Sequence, residues 1–193
     1  MSMPDFLIQN GARIISDKNS PDFGDPQFLE ACRQFIYDMA ERYDGDKRLA
    51  FVQAGLIGYW GEWHTLSDPN MPEESKNKLS VWYGDAFKKT KVQIRFPHQV
   101  AYDRGIGLHD DSFAYTTLDG VPNGGVAVDW YFGPMVLAKG HQDFWKKAPM
   151  GGETRPEIQF IIFEDTYPAG NYERQDFMLC TEVTHATYML HHN

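Results

Sequence analysis

The sequence predicts an α/β fold of the (β/α)8, TIM-barrel-like type, on three observations. Segments with helical apolar spacing alternate with short apolar runs along the 193 residues, as expected for a mainly parallel sheet. No Gly-rich phosphate loop of a doubly wound fold occurs. Polar residues follow nearly every predicted strand, where barrel sites collect: Glu62 and His64, His98, His109 to Asp111, Glu153, His191 and His192.

The first elements are predicted from capping and spacing. Residues 1–24 are predicted to be irregular, and Asp25-Pro26 then opens a helix with Asp as N-cap. Its predicted apolar face consists of Phe28, Cys32, Phe35, Ile36, Met39 and Tyr43. The polar turn 43–46 ends this helix. The near-continuous apolar run Leu49–Ile57 then predicts a strand covered on both faces.

The alternation continues to the C-terminus. Helices are predicted at 72–90, at 126–147 with a kink or break at Gly133-Pro134, and from 175 onward. Strands are predicted at 92–96, 106–108, 149–153 and 187–190, and 112–125 is predicted to be a loop. The apolar segment 156–163 fits either a helix or a strand. We expect one domain over residues 1–193.

Composition limits the partners. Aromatic residues make up 15% of the chain, which favours an aromatic-lined cleft, and the formal net charge is −9. This acidic balance argues against nucleic acid and anionic membranes as partners, whereas a neutral carbohydrate remains compatible. Cys32 and Cys180 lie in apolar helical patterns, so we expect two buried thiols.

Neither a membrane span nor a secretory signal is predicted. The apolar runs are shorter than the roughly 20 residues that cross a bilayer. The N-terminus lacks a charged region followed by an apolar one. The cellular location stays open, because a leader upstream of Met1 would direct the protein to the periplasm or the exterior.

The segment Gly55–His64, GLIGYWGEWH, carries the strongest functional signal. It places Glu62 between Trp60 and Trp63 at the end of a predicted strand, with His64 two residues on. A sugar-cleaving site needs a carboxyl group, and flat apolar surfaces take the faces of a pyranose ring. We expect the indoles to desolvate Glu62 and raise its pKa, as a general acid requires. A structural alternative is a buried Glu held by backbone amides.

This segment, preceded by RYDGD at 42–46, resembles an uncharacterised family of glycoside-hydrolase-like TIM barrels (the DUF4832 type). HDDSF at 109–113, MGGE at 150–153 with RPE at 155–157, and THATYML at 184–190 resemble later blocks in the same order. Family members are longer. The resemblance therefore implies an incomplete barrel that lacks the first strands and ends near the eighth; a full barrel needs about 250 residues. Another copy of the chain could supply the missing strands as a homo-oligomer.

The resemblance to retaining barrel glycosidases implies that Glu62 is the acid/base, since these enzymes place that residue after the fourth strand. Glu153 is the predicted nucleophile: Gly151-Gly152 allow a close backbone approach to a ligand, and Arg155 could keep the carboxylate ionised. A surface turn is the alternative for this motif. Asp110 and Asp111 are rival second carboxylates, of which at most one faces the site, and the other could cap a helix or bond Arg95 or Arg104.

Further side chains are candidates for substrate binding. His64, His98 and His109 could hydrogen-bond sugar hydroxyls, or bind zinc, although no tight ligand spacing supports a metal. Trp130 could form a sugar platform or pack in the core, and the resemblance places His192 at a strand tip. The full set predicted to bind substrate is Trp60, Trp63, His64, Arg95, His98, His109, Asp110, Asp111, Trp130, Arg155 and His192.

The sequence thus favours a retaining glycoside hydrolase that acts on a carbohydrate substrate. Two carboxylates of the enzyme would carry the reaction, and no metal or other cofactor is needed. Two alternatives remain: a carbohydrate-binding protein without turnover, and a fragment of a larger barrel enzyme. The sugar, the linkage and exo or endo action are not indicated by the sequence.

Overall fold

The computed structural model describes residues 3–15, 20–64, 71–120, 128–162 and 174–191. They belong to two compact units: Met1–Ile94 with Asp103–Ile106, and Arg95–Tyr102 with Gly107–Asn193. The helices are α1 Asp5–Gln9, α2 Pro26–Tyr43, α3 Glu73–Ala86, α4 Gln99–Asp103, α5 Phe132–Ala138 and α6 Phe177–Thr184. The strands are β1 Phe51–Gln53, β2 Lys91–Ile94, β3 Gly107–Phe113, β4 Met150–Thr154 and β5 Tyr188–Leu190. The single domain over residues 1–193 stays a prediction.

Helix α2 of the first unit begins where the sequence predicted. The Asp25 carboxylate accepts hydrogen bonds from the backbone N–H groups of Gln27 and Phe28, and Pro26 occupies the first turn. Phe28, Cys32 and Ile36 of the predicted apolar face are buried. Phe35 is exposed instead, because Leu29 and Ala40 complete the buried stripe. The short α1 was not predicted.

Strand β1 is shorter than predicted. It pairs in parallel with β2, Phe51 opposite Lys91 and Gln53 opposite Gln93. The predicted strand Leu49–Ile57 was wrong at both ends: Leu49 is exposed after a turn, and the strand ends at Gln53. The glycines at 55 and 58 let the chain bend where a longer strand would have continued.

The motif at 42–46 has a structural role in this unit. The Asp44 carboxylate accepts hydrogen bonds from the backbone N–H groups of Lys88, Lys89 and Thr90, and the Gly45 N–H donates to the Thr90 hydroxyl. The turn after α2 is thereby attached to the turn before β2, at the N-terminal ends of the strands.

The second unit contains a three-stranded parallel sheet. Strand β4 lies between β3 and β5, with His109 opposite Gly151 and Gly151 opposite Tyr188. All described strand pairs are parallel and helices occur between successive strands, so the α/β class is confirmed. Completion of a barrel stays a proposal.

One face of this sheet packs on a hydrophobic core. Phe113, Ala114, Ile158, Ile162 and Cys180 form that core, and Met189 of β5 packs against it. Tyr188, His109 and Glu153 alternate with the residues on that side, so they lie on the opposite face. Strand β3 is longer than the predicted 106–108 because its polar residues are buried and find partners inside the fold.

The predicted helix 126–147 was wrong in extent. Residues 121–127 lie outside the described residues; α5 covers only Phe132–Ala138, and a separate 3-10 turn covers Phe144–Lys146. Pro134 falls in the first turn of α5, where its missing N–H is not needed, so the predicted break is a helix start. Among the described residues, no helix combines the length and apolar character required to cross a bilayer.

Both cysteines are buried free thiols, as predicted. Burial raises the pKa of Cys32 and of Cys180 to about 12, so neither thiol supplies thiolate near neutral pH.

Candidate functional site

The tryptophan loop, residues 55–64, is a tightly closed segment of the first unit. Four of its residues have positive φ: Gly58, Trp60, Gly61 and Trp63. The Tyr59 N–H donates to the His64 carbonyl at 2.8 Å, which brings the ends of the loop's second half together. A Cβ at Gly61 would lie 2.4 Å from the Gly55 carbonyl oxygen, so only glycine fits there. Non-glycine residues at positive φ carry strain, which often accompanies functional sites.

The two tryptophans of this loop differ in exposure. Trp63 is 1% exposed, and its indole N–H donates to the Ala54 carbonyl, so it anchors the loop in the interior. The prediction that Trp63 offers a surface to substrate is therefore corrected. Trp60 is 72% exposed. An exposed indole held by a strained backbone is available to pack against a ligand.

Glu62 and His64 form a pair beside Trp60. The Glu62 Oε2 and His64 Nε2 atoms are 3.1 Å apart, and both side chains are partly exposed. The Trp60 and His64 rings lie 5.8 Å apart between centroids. The loop thus presents an aromatic surface, an imidazole and a carboxylate together. The pair would also supply two of the four ligands that zinc usually takes.

In the second unit, Glu153, His109 and Tyr188 form a polar group on one face of the sheet. His109 Nε2 is 3.6 Å from Glu153 Oε2, and His109 Nδ1 is 2.9 Å from the Tyr188 hydroxyl. His109 is nearly buried, whereas the Glu153 side chain is 28% exposed. The first distance is too long for a hydrogen bond and fits an electrostatic contact. Glu153 is therefore a carboxylate that solvent can reach and that faces an imidazole.

The two adjacent aspartates of β3 have different partners. Asp110 is fully buried and accepts hydrogen bonds from the Ser112 N–H at 3.0 Å and the Thr117 hydroxyl at 2.6 Å. Its predicted place among the substrate-binding residues is corrected, since it holds the turn after β3.

Asp111 pairs with a buried cation. Its Oδ1 lies 2.5 Å from Nε of Arg95, although the N–H is not aligned for a hydrogen bond. The Arg95 guanidinium also stacks on Phe96 and Phe132, at 4.9 and 5.6 Å from their ring centroids. Arg95 is almost fully buried, so its predicted contact with substrate is corrected to an internal charge pair with Asp111.

The other predicted binding residues lie in varied surroundings. The Arg155 guanidinium lies 4.4 Å from the centroid of the Tyr115 ring, and the described charge contact of Glu153 is with His109. His98 is buried just before α4, and Trp130 is partly exposed before α5. His192 lies outside the described residues.

Sequence reasoning missed Tyr188. The sequence feature that could have indicated Tyr188 is the glycine at position 151. Gly151 has no side chain, so the residue opposite it on β5 can reach across β4 to β3. A Cβ at Gly151 would lie 2.4 Å from the Tyr188 ring. The predicted approach of a ligand at Gly151 stays a prediction, and the group that the structure places there is the Tyr188 ring.

Comparisons of the chain with protein-family models, with curated proteins and with solved structures find no match.

Proposed function

We propose that this protein is a carbohydrate-active enzyme, a retaining glycoside hydrolase. The observation that carries the proposal is the group formed by Trp60, His64 and Glu62. Trp60 is 72% exposed and lies against His64, whose Nε2 is 3.1 Å from Glu62 Oε2. An indole face suits the apolar face of a sugar, and a nearby carboxyl group suits the glycosidic oxygen.

In the proposed reaction, Glu62 acts as general acid and then as general base. It donates a proton to the glycosidic oxygen as the bond to the anomeric carbon breaks. In the second step it takes a proton from the water that attacks the same carbon. The His64 imidazole orients the Glu62 carboxyl group through the contact between them.

The nucleophile is proposed to be Glu153. Its carboxylate attacks the anomeric carbon and forms a glycosyl ester, which water then hydrolyses. Partial exposure of Glu153 and its contact with His109 support this role. The pairing of Glu62 with Glu153 in one mechanism is proposed on sequence grounds alone.

The test measures hydrolysis of a panel of activated aryl glycosides by the wild type, Glu62→Gln and Glu153→Gln. Glu41→Gln, on the exposed surface of α2, is the matched control. Each site variant should lose at least about 100-fold in kcat/KM, with the control unchanged. Azide should rescue an alanine variant at either position, giving a retained glycosyl azide for Glu62→Ala and an inverted one for Glu153→Ala.

Two results would contradict the proposal. Full activity in Glu62→Gln or Glu153→Gln would remove that residue from the mechanism. Glycan binding by calorimetry without turnover of any glycoside would instead support the second candidate, a carbohydrate-binding protein, which the exposed Trp60 also favours.

A further inference from the structure

Tyr188 reaches His109 across a gap in the intervening strand. Strand β4 presents Gly151 between them, and the Tyr188 and His109 rings are nearly parallel, with centroids 6.1 Å apart. Because a Cβ at Gly151 would come within 2.4 Å of the Tyr188 ring, the glycine creates the space that the phenol occupies. The hydroxyl then lies 2.9 Å from His109 Nδ1.

We propose that Tyr188 is a positioning residue that fixes the tautomer of His109, so that Nε2–H points at the Glu153 carboxylate. The inference rests on the proposed role of Glu153 as nucleophile. In the arrangement proposed, the Tyr188 O–H donates to Nδ1, and the proton of the neutral imidazole resides on Nε2.

The contacts at both ring nitrogens favour this tautomer. If Nδ1 carried the proton, Nε2 would present a lone pair to a carboxylate oxygen 3.6 Å away, which is repulsive. With the proton on Nε2, the imidazole dipole points toward the negative charge. A tyrosine hydroxyl can donate as well as accept, so it satisfies Nδ1 in the favoured form.

The consequence for catalysis is orientation of Glu153 without loss of its charge. A neutral imidazole that donates to a carboxylate holds it in place, and the carboxylate stays ionised for attack. The 3.6 Å contact is long, as such contacts often are before substrate binds, and we expect it to shorten in the complex.

The experiment uses the full chain labelled with 15N in its histidines, at about pH 8, where an ordinary imidazole is neutral. Long-range 1H–15N correlations report which ring nitrogen carries the proton. His109→Gln identifies the His109 signals among the seven histidines. Tyr188→Phe retains the ring over Gly151 and removes only the hydroxyl. Tyr102→Phe is the matched control, because that hydroxyl accepts from Lys147 Nζ.

Wild-type protein should show the Nε2–H tautomer at His109. Tyr188→Phe should change the tautomer ratio by about fivefold or more, the equivalent of one ordinary hydrogen bond, and Tyr102→Phe should not. A wild-type Nδ1–H tautomer, or an unchanged ratio in Tyr188→Phe, would overturn the proposal.

The kinetic readout accompanies the spectra. Tyr188→Phe should lower kcat for an aryl glycoside about fivefold with KM little changed, since only the orientation of the nucleophile suffers. An unchanged kcat would overturn the role in catalysis. Failure of the proposed function is recognised separately: the wild type would then turn over no glycoside, or Glu153→Gln would retain full activity, whatever the spectra of His109 show.

Discussion

Tyr188 and Gly151 are paired positions of adjacent parallel strands, and the phenol ring of Tyr188 fills the space that a side chain at Gly151 would take. Gly152 is under a similar constraint, because its Cβ would lie 2.4 Å from the Asp110 carbonyl oxygen. The two glycines of the MGGE motif are therefore explained by packing between strands. Glu153 then follows at a position that solvent reaches.

Gly151→Ala should destabilise the protein by about 1–3 kcal/mol, since the new methyl group meets both the ring and the carbonyl oxygen of Tyr188. Urea denaturation measures the change in the free energy of unfolding. Gly55→Ala is the control, because the only atom near its Cβ is 3.9 Å away among the described residues. Equal stability of the two variants would contradict the packing argument.

The two tryptophans of the loop should separate binding from stability. Trp60→Ala should leave the free energy of unfolding within about 0.5 kcal/mol, because the side chain is 72% exposed. Under the proposed function, it should weaken binding of a glycan by about tenfold, through loss of the stacking surface. Calorimetric titration gives the affinity.

Trp63→Ala is the counterpart to that variant. It should cost about 3–5 kcal/mol of stability, because it removes a buried indole and its hydrogen bond to the Ala54 carbonyl. A larger loss of stability in Trp60→Ala than in Trp63→Ala would contradict the assignment of Trp63 as the buried anchor of the loop and of Trp60 as the exposed surface.

Asp44 should make the protein sensitive to acid. Burial alone would raise the pKa of Asp44, but the N–H groups of Thr90, Lys89 and Lys88 together hold it below its usual range. Because the folded pKa lies below the unfolded one, the stabilisation is fully present above about pH 4 and disappears as the pH falls through the folded value.

Asp44→Ala should therefore lose about 1 kcal/mol at pH 7 and show a smaller further loss on acidification than the wild type. Thermal unfolding between pH 7 and pH 3 measures both effects. Asp143→Asn, which removes an exposed charge paired with Lys146, is the control and should follow the wild type. A wild-type pH profile in Asp44→Ala would contradict the assigned role.

The sequence predicted the α/β class and most elements because periodicity and capping are local properties. The cap at Asp25 and the strand near 150–154 depend on neighbours within a few residues. The sequence could not predict the length of β3, because the buried aspartates of this strand find partners in Thr117 and Arg95, which lie outside it. For the same reason the sequence did not predict the burial of Trp63, which depends on the path of the loop. It also did not predict the contact of Tyr188 with His109, which depends on the register of the sheet.

Arg95 and Asp111 form a buried charge pair. Asp111→Leu should destabilise the protein by about 3–5 kcal/mol, because it leaves the Arg95 guanidinium buried without its counter-ion. Arg95→Met alone should also be costly, for the converse reason. The double variant Arg95→Met with Asp111→Leu should be more stable than either single variant, since apolar side chains can replace a buried pair at little net cost.

A double-mutant cycle by urea denaturation measures this coupling, with Asp110→Asn as the reference for an aspartate that pairs with hydroxyl and amide donors. Asp110→Asn should cost about 1–3 kcal/mol and show no coupling to Arg95→Met. Strict additivity of the Arg95 and Asp111 variants would show that their 2.5 Å contact carries no net interaction, and Asp111 would then be held by other groups.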